Sequence, residues 1–250
     1  MIHGCVPTNF GKTYTVPIPK GNISRQALTA ENFRGISISP TISKLFEHAV
    51  LVRFSHYFTT SAYQFGFKKQ LSCRHAIYCV RNVIEHYVNN GSTVNVCSLD
   101  LSKAFDRMNH YALFIKLMNR KFPNELLNLL EQWFGISVTC VRWGASYSHF
   151  FHLLAGVRQG GVLSPLLFAI FIDGLVDKVK ATGVGCYFSY ICVSIFLYAD
   201  DILLIAPSVS ALQTLLCACE EELKLLDMQL NTKNLFAFVL GLASKHYARV

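Results

Sequence analysis

The sequence predicts an α+β fold in which a small antiparallel sheet is backed by helices. Helix-like and strand-like apolar patterns alternate along the chain, and no internal repeat or low-complexity tract interrupts them. Hydrophobic residues make up 52% of the 250 positions and charged residues 15%, so the chain can bury a sizeable core. This composition excludes a disordered chain, which would be poor in apolar residues, and a collagen-like chain, which would repeat glycine.

The N-terminal half is predicted to hold two helices and one strand. Residues 1–30 are predicted to be irregular, since prolines and glycines interrupt any apolar period. A helix is expected from Thr41, and Ser72 is expected to cap a second helix. The β-branched run over residues 93–101 is typical of a buried strand.

The C-terminal half is predicted to alternate helices with paired strands. The expected elements are helices over about 109–120 and 124–134, two strands within 138–157, a helix starting at Ser164-Pro165, two apolar strands within 191–205, and a helix from Ser210. Ser164 suits a helix cap, and Pro165 suits the first helical turn.

The chain is basic and rich in apolar residues. Lysine and arginine number 23 and aspartate and glutamate 15, giving a net charge of +8, which fits a polyanionic partner without proving one. The mean hydropathy of +0.34 raises the question of a membrane. The longest apolar run, residues 184–198, is shorter than the ~20 residues that a spanning helix needs, so no membrane partner is predicted.

The cysteines indicate a reducing compartment. Their number, nine, is odd, and no C-x-x-C motif occurs, which argues against a disulfide framework or a zinc knuckle. No apolar segment typical of a signal peptide follows Met1. We therefore expect an intracellular protein, in the nucleus, the cytoplasm or both, that is not secreted.

Two adjacent carboxylates, Asp200 and Asp201, lie where two apolar strands are expected to turn. A two-residue hairpin turn normally favours Gly or Asn, so Asp-Asp is a poor choice for turn geometry alone. Two close carboxylates also repel each other, which makes a cation their natural partner. An ordinary polar turn is the alternative.

A third carboxylate, Asp100, ends the apolar strand predicted over residues 93–101. It could meet Asp200 and Asp201 if this strand pairs beside the hairpin. Three carboxylates could then hold two Mg²⁺ ions roughly 3.5–4 Å apart, the arrangement that drives in-line phosphoryl transfer. Gln159-Gly160-Gly161, just before Ser164-Pro165, forms a further candidate, because glycines let backbone approach a ligand closely. Its alternative is a simple helix-entry loop.

The order of these motifs resembles a known family. Asp100, then Gln159-Gly160, then Tyr198-Ala199-Asp200-Asp201 looks like motifs A, B and C of a reverse transcriptase. Flanking segments narrow the resemblance to non-LTR (LINE-type) retrotransposon polymerases; they are Asn32-Phe33-Arg34-Gly35-Ile36-Ser37-Ile38, Ser43-Lys44-Leu45-Phe46-Glu47, Gln64-Phe65-Gly66-Phe67 and Leu163-Ser164-Pro165-Leu166-Leu167-Phe168.

The resemblance implies an RNA-directed DNA polymerase with the fingers and palm of a right-hand polymerase. By analogy, Asp100, Asp200 and Asp201 are the metal ligands for two Mg²⁺ ions, with Mn²⁺ as the alternative ion. The implied partners are an RNA template, a DNA primer and deoxynucleoside triphosphates. The family's motifs assign Arg34 to the incoming phosphates, Phe105 to the sugar, Gln159 and Gly160 to the template and nucleotide, Tyr198 to the nucleotide site, and Lys233 to proton transfer onto pyrophosphate.

The resemblance covers about residues 16–235 as one contiguous domain. It predicts an N-terminal segment and fingers over 1–92, and mainly palm over 93–250 with a fingers excursion near 137–157. The chain stops soon after Lys233, so the thumb is expected to be missing, and no endonuclease domain is expected before Met1; both would belong to a parent polyprotein. The chain departs from the family's usual residues at Gly35, Arg158, Gly161 and Asn234, where Pro, Pro, Ser and Thr are common.

Three other interpretations compete with an active polymerase. An inactive retroelement-derived fragment would at most bind nucleic acid, and primer extension by the purified chain distinguishes it. A viral RNA-dependent RNA polymerase would have Gly-Asp-Asp at the turn, where this chain has Ala199-Asp200-Asp201, and no bulky residue at position 105. A membrane protein is suggested by composition alone, and the aspartates beside the apolar runs count against it.

Overall fold

The computed structural model describes residues 5–21, 29–241 and 246–248 and has an α+β fold, as predicted. Its helices are α1 (Thr8–Gly11), α2 (Thr41–Arg53), α3 (Cys73–Asn89), α4 (Ala104–Arg107), α5 (His110–Asn119), α6 (Asn124–Gly135), α7 (Ser164–Lys180) and α8 (Val209–Leu225). Its strands are β1 (Lys12–Pro19), β2 (Phe33–Ile38), β3 (Val94–Leu99), β4 (Val138–Trp143), β5 (Ser146–Tyr147), β6 (Phe151–His152), β7 (Cys186–Phe188), β8 (Ile191–Val193), β9 (Ile195–Tyr198), β10 (Asp201–Ala206), β11 (Phe236–Leu240) and β12 (His246–Ala248). Short 3-10 turns lie at Ala30–Asn32, Ser55–Tyr57 and Thr232–Asn234.

The chain divides into two compact units, each built from two segments. The first unit comprises Met1–Thr59 and Met108–Leu167, and the second comprises Thr60–Arg107 and Phe168–Val250. The boundary expected at residue 92 falls inside the second unit, and the excursion expected near 137–157 falls inside the first. The assignment of fingers and palm to particular residue ranges stays a prediction.

The first unit contains a mixed sheet with strand order β2-β1-β4-β5, and β6 also pairs with β4. Strands β1 and β2 are antiparallel, whereas β1 and β4 are parallel. This sheet is therefore mixed and differs from the antiparallel sheet that the sequence predicted. The expectation of irregular structure over residues 1–30 was wrong for Thr8–Gly11, Lys12–Pro19 and the turn that begins at Ala30.

The prolines of β1 lie where the strand has a single described neighbour. Residues Lys12 to Thr15 pair with β4, but Pro17 and Pro19 lie beyond that pairing and face only Gly35 and Phe33 of β2. A proline lacks the N–H that a second neighbouring strand would require. Pairing with a strand more than 120 residues away outweighs the local signal that predicted a loop.

The second unit contains an antiparallel sheet with strand order β12-β11-β3-β10-β9. Helix α8 packs against β10 and β3, while α3 packs against β3 and β9. The core between α3 and the sheet includes Val83, Val96 and Phe196, all buried. The apolar segment near the C-terminus forms β11, which pairs along β3 from Phe236 to Leu240.

Helix starts follow the predicted caps closely. The Ser72 N–H donates to His75 Nδ1 at the start of α3, and Asn109 accepts from the Ala112 N–H at the start of α5. Helix α8 begins earlier than expected, because Ser208 rather than Ser210 accepts from the Ala211 N–H. Within the described ranges, no helix is both long enough and apolar enough to cross a membrane.

Candidate active site

Two of the candidate aspartates lie at the same end of the second unit's sheet. Strands β3 and β10 are antiparallel, with Leu99 opposite Ile202. Asp100, which follows Leu99, and Asp201, which precedes Ile202, therefore lie side by side at the same end of the sheet. On its other side, Asp201 pairs with Tyr198 across the turn formed by Ala199 and Asp200. The sheet thus brings together Asp100 and Asp201, which are 101 positions apart in the chain.

The carboxylates interact electrostatically. Burial raises the pKa of Asp201 above its ordinary value, and the negative charges of Asp200 and Asp100 raise it further. The folded chain therefore holds three carboxylates whose repulsion a divalent cation would relieve, which is the donor chemistry that Mg²⁺ prefers. Over the described part of the chain, however, no three His, Cys, Asp or Glu side chains already form a metal-binding cluster.

The turn that carries Asp200 has an unusual backbone. Ala199 adopts a φ of +58°, in the left-handed region that side chains other than glycine rarely occupy. Such a residue costs of order 1–3 kcal/mol and persists only where its surroundings hold it in place.

Gln64 holds this turn from the side. Its Oε1 accepts from the Ala199 N–H at 3.1 Å, and its Nε2 donates to the Ala199 carbonyl at 3.3 Å. Gln64 is fully buried, and its Oε1 also accepts from the Gly66 N–H at 2.8 Å. Backbone bonds from Phe65 N to the Leu197 carbonyl and from Leu197 N to the Tyr63 carbonyl extend the contact.

Gly66 allows this close approach. A Cβ at Gly66 would lie 2.3 Å from the Ala199 nitrogen, closer than two non-bonded atoms can approach. The segment Gln64-Phe65-Gly66-Phe67 entered the sequence analysis only as a mark of family resemblance, and its role beside the aspartates was missed. The sequence signal for this role was a polar residue, Gln64, close to a glycine in an aromatic segment. Its partner, Ala199, lies 135 residues away, so the sequence could not connect the two.

Asp100 is held from the segment that follows α8. Its Oδ2 accepts from Asn231 Nδ2 at 3.0 Å and from Asn234 Nδ2 at 2.8 Å. Sequence reasoning named Asn234 only as a departure from the family. Lys233 belongs to the same 3-10 turn, but its side chain lies outside the part of the chain that the structure describes, so its role stays a prediction.

Phe105 and Tyr198 also lie in the second unit, and both are half-buried. The Phe105 ring stacks on the fully buried Phe168, with centroids 4.9 Å apart, and meets Phe67 edge-on at 6.2 Å. The ring is thus fixed on one side by the core and retains solvent access on the other. Its position five residues after Asp100 agrees with a role at a nucleotide, and that role stays a prediction.

The remaining candidates lie together in the first unit. The Gln159 carbonyl accepts from the Ser37 N–H of β2 at 2.7 Å, and β2 also carries the exposed Arg34. Gly160 has a φ of +122°, and a Cβ there would lie 2.5 Å from the Ser37 carbonyl oxygen. This contact explains why a glycine is needed at 160.

The loop around Gln159 is anchored by a buried carboxylate, Glu47, and a half-buried guanidinium, Arg158, which sequence reasoning did not connect. The Glu47 carboxylate of α2 is 3% exposed, and its Oε2 accepts from the Leu163 N–H at 2.7 Å. Arg158 donates to the Phe10 carbonyl at 3.3 Å and lies over the Trp133 ring at 5.6 Å. Burial lowers the pKa of Arg158, while the Glu47 charge raises it.

These contacts account for two departures from the family's usual residues. At position 158 an arginine, unlike a proline, can bond the Phe10 carbonyl and balance the Glu47 charge. At position 161 a side chain would meet Ser164 Oγ at 2.5 Å, so glycine fits where serine is common. His110 adds a third anchor, since its Nε2 lies 2.7 Å from the Gly156 carbonyl.

Asp100 and Asp201 lie at the ends of neighbouring strands beside a strained turn. Similarity to known proteins identifies the family that carries this arrangement. Residues 18–238 match the family described as reverse transcriptase (RNA-dependent DNA polymerase). The chain belongs to this family. Membership implies the use of a divalent metal ion, without fixing which ion or how many.

The similar proteins come from non-LTR retrotransposons, as the motifs predicted. The chain is 27% identical over 236 residues to the Pol polyprotein of the type-1 retrotransposable element R2 of Popillia japonica, covering 93% of this chain and 33% of that protein. It is 30% identical over 208 residues to the RNA-directed DNA polymerase of the mobile element jockey of Drosophila funebris, covering 79% and 22%. The chain thus spans about a third or less of these relatives' length.

Solved structures support the fold. The chain matches telomerase from Candida tropicalis, in complex with a fragment of telomeric RNA, with a TM-score of 0.68 and 13% identity over 98% of this chain and 45% of that one. It matches apo telomerase of the same organism, truncated from its C-terminal domain, with a TM-score of 0.64 and 14% identity over 97% and 52%. The prediction of a polymerase fingers and palm fold is confirmed.

Proposed function

We propose that this chain is an RNA-directed DNA polymerase domain, which joins deoxynucleoside triphosphates to the 3′-hydroxyl of a DNA primer along an RNA template. The observation that supports it most directly is the register of β3 and β10, which puts Asp100 beside Asp201 and next to Asp200. In a member of the reverse transcriptase family, carboxylates at this end of the sheet would serve as ligands for the metal ions of nucleotidyl transfer.

The three aspartates would hold two Mg²⁺ ions, with Mn²⁺ as the alternative ion. Burial and, after it, the charges of Asp200 and Asp100 raise the pKa of Asp201, which supports cation binding at this end of the sheet. When bound, such ions lower the pKa of the attacking hydroxyl and neutralise charge on the phosphates. Gln64 would keep the turn of Asp200 in one conformation, so that little reorganisation is needed when substrate binds.

The other candidates would contact substrate. Arg34, exposed on β2, would bind the triphosphate, and the Gln159-Gly160 backbone would contact the template and nucleotide. Phe105 would exclude a 2′-hydroxyl, with Tyr198 beside the nucleotide. Lys233 would protonate the leaving pyrophosphate.

The net charge of +8 supports nucleic-acid partners, since neutralising backbone phosphates accounts for much of such affinity. Among the structural neighbours, telomerases of Candida tropicalis and Candida albicans were solved with a fragment of telomeric RNA, which supports an RNA template here. The thumb and endonuclease parts of a parent polyprotein would be further partners. Nine free cysteines support an intracellular site of action.

Primer extension by the purified chain tests this proposal. An RNA template annealed to a DNA primer should be extended with Mg²⁺ but not with EDTA, and Asp200→Ala should abolish extension. Asp177→Asn, an exposed carboxylate on α7, is the matched control and should extend normally.

The second candidate is an inactive fragment that at most binds nucleic acid, and the net charge of +8 supports such binding without requiring catalysis. A chain that binds the primer–template in a filter assay, yet extends no primer under any divalent ion, would establish that candidate and overturn the polymerase proposal.

A further inference from the structure

The Asp100 carboxylate is held by two asparagine side chains of a single short segment. Asn231 Nδ2 and Asn234 Nδ2 both donate to Asp100 Oδ2, at 3.0 and 2.8 Å. The Asn231 N–H also donates to the Asp100 carbonyl at 2.8 Å. Side chain and backbone of Asp100 are therefore both bonded to the segment around Thr232–Asn234.

The neighbouring backbone strengthens this contact. The Ser102 N–H donates to the Gln229 carbonyl at 2.8 Å, and Leu101 forms an antiparallel bridge with Leu230. The Asn234 N–H in turn donates to the Asn231 carbonyl at 3.0 Å, which fixes the two amides relative to each other. The end of β3 and the turn thus form one hydrogen-bonded unit around Asp100.

We propose that Asn231 and Asn234 are positioning residues, which hold the Asp100 carboxylate in the orientation that binds the catalytic cation. The inference rests on the proposed function. Two donors on Oδ2 fix the rotation of the carboxylate and leave Oδ1 as the oxygen that neither amide engages. Groups that orient a metal ligand in this way typically contribute 10–100-fold to metal affinity or activity.

The chemistry requires an amide at 234. A threonine hydroxyl lies one bond nearer the backbone than Asn Nδ2, so the common family residue would not reach Asp100 from the same position. An aspartate would have the same shape as asparagine but would replace the donor with a second negative charge. Asn234 is exposed, so its replacement should disturb folding little.

Direct metal binding tests the proposal independently of catalysis. Mn²⁺ binding should be measured by electron paramagnetic resonance for the wild type, Asn234→Ala, Asn234→Asp and Asn231→Ala. We expect the Mn²⁺ dissociation constant to rise at least about tenfold in Asn234→Ala and further in Asn234→Asp. The Mg²⁺ concentration for half-maximal primer extension should rise in parallel.

The control is Asn90→Ala, which removes a similar side-chain bond, from Asn90 Nδ2 to the His86 carbonyl, at the end of α3. It should leave Mn²⁺ binding unchanged. Because Asn231 also bonds through its backbone, melting temperatures of all variants should accompany the binding data.

The outcomes separate the two proposals. If the wild type binds Mn²⁺ and extends primers while Asn234→Ala and Asn234→Asp match it in both assays, the positioning role is overturned and the polymerase stands. If the wild type binds Mn²⁺ but extends nothing, weaker Mn²⁺ binding in the variants still supports the positioning role. A wild type that binds no Mn²⁺ overturns the positioning role and the metal part of the proposed function together.

Discussion

The carboxamide of Gln64 bonds both the N–H and the carbonyl of Ala199, the residue directly before the paired aspartates. Ala199 has a positive φ, so its peptide groups need an external partner to stay in this conformation. Gln64 is the only buried side chain described here that bonds Ala199 on both sides. The position of Asp200 therefore depends on a residue 136 positions earlier in the chain.

Replacing Gln64 should lower both stability and activity. Gln64→Ala leaves the buried Gly66 N–H and the half-buried Ala199 N–H without their partner, and a buried unsatisfied group such as the Gly66 N–H costs about 1–3 kcal/mol. Urea denaturation should show this loss. Gln213→Ala, an exposed glutamine on α8, is the control and should change stability by less than ~0.5 kcal/mol. Equal stability of Gln64→Ala and the control would contradict the role assigned to Gln64.

Exchanging glycine and alanine at Ala199 and at Gly66 should change the stability of the chain in opposite directions. Ala199→Gly removes left-handed strain, so stability should be kept or should rise slightly despite the flexibility that glycine adds. Gly66→Ala should destabilise the chain by several kcal/mol, because the new Cβ would overlap the Ala199 nitrogen. Gly135→Ala, where a Cβ meets nothing within 4 Å, is the matched control for thermal melting. Normal melting of Gly66→Ala would show that the contact is looser than described.

Removing the Asp201 charge should stabilise the chain in the absence of divalent ions. The pKa of Asp201 is raised in the folded chain, so the stability linked to it is present below its ordinary pKa of ~3.9 and is lost as pH rises through the folded value. At pH 7 its charge is therefore destabilising, and Asp201→Asn should raise the Tm by at most ~4 °C.

Calorimetry in EDTA at pH 7 and near pH 4 checks this prediction. The gain should shrink at the lower pH, where the wild-type Asp201 is increasingly protonated. Asp177→Asn should show no such pH-dependent gain. A lower Tm for Asp201→Asn than for the wild type at pH 7 would mean that the carboxylate is already compensated within the fold.

Phe105 should determine the choice of sugar. A rigid ring beneath the nucleotide offers a 2′-hydroxyl no hydrogen bond, which costs ~1–3 kcal/mol before any steric overlap, or roughly ten- to a hundredfold in rate. Phe105→Val should therefore raise ribonucleotide use relative to deoxynucleotide use in single-nucleotide extension. Phe188→Val, a partly exposed aromatic on β7, is the control. If both substrates decline together in Phe105→Val, the ring acts only through its stacking on Phe168.

Local chemistry in the sequence predicted much of the fold. Ser164 and Pro165 mark the start of α7, and α5 begins near residue 109 as expected, because helix starts depend on residues within one turn. Strand β1 was missed, since its pairing with β4 involves residues more than 120 positions away and its prolines mimic a loop. Long-range pairing of this kind leaves no local periodic signal.

The residues of the candidate site also differ in how far the sequence could predict them. Asp100, Asp200 and Asp201 could be named because carboxylates at strand ends are chemically conspicuous. Gln64 and Asn234 could not, because each acts on a residue that is more than 130 positions away in sequence. The residues that bind a ligand were thus more readily found than the residues that position them.

The most direct test of the central claim is single-turnover incorporation of one deoxynucleotide opposite an RNA template, with Mg²⁺, by the wild type and by Asp100→Asn. The account predicts a measurable wild-type rate and a fall of at least about a hundredfold in the variant, since a lost metal ligand removes several kcal/mol of transition-state stabilisation. The melting temperature of Asp100→Asn should stay near that of the wild type. Equal incorporation rates for the two proteins would show that the end of the sheet that carries Asp100 and Asp201 is not the catalytic centre.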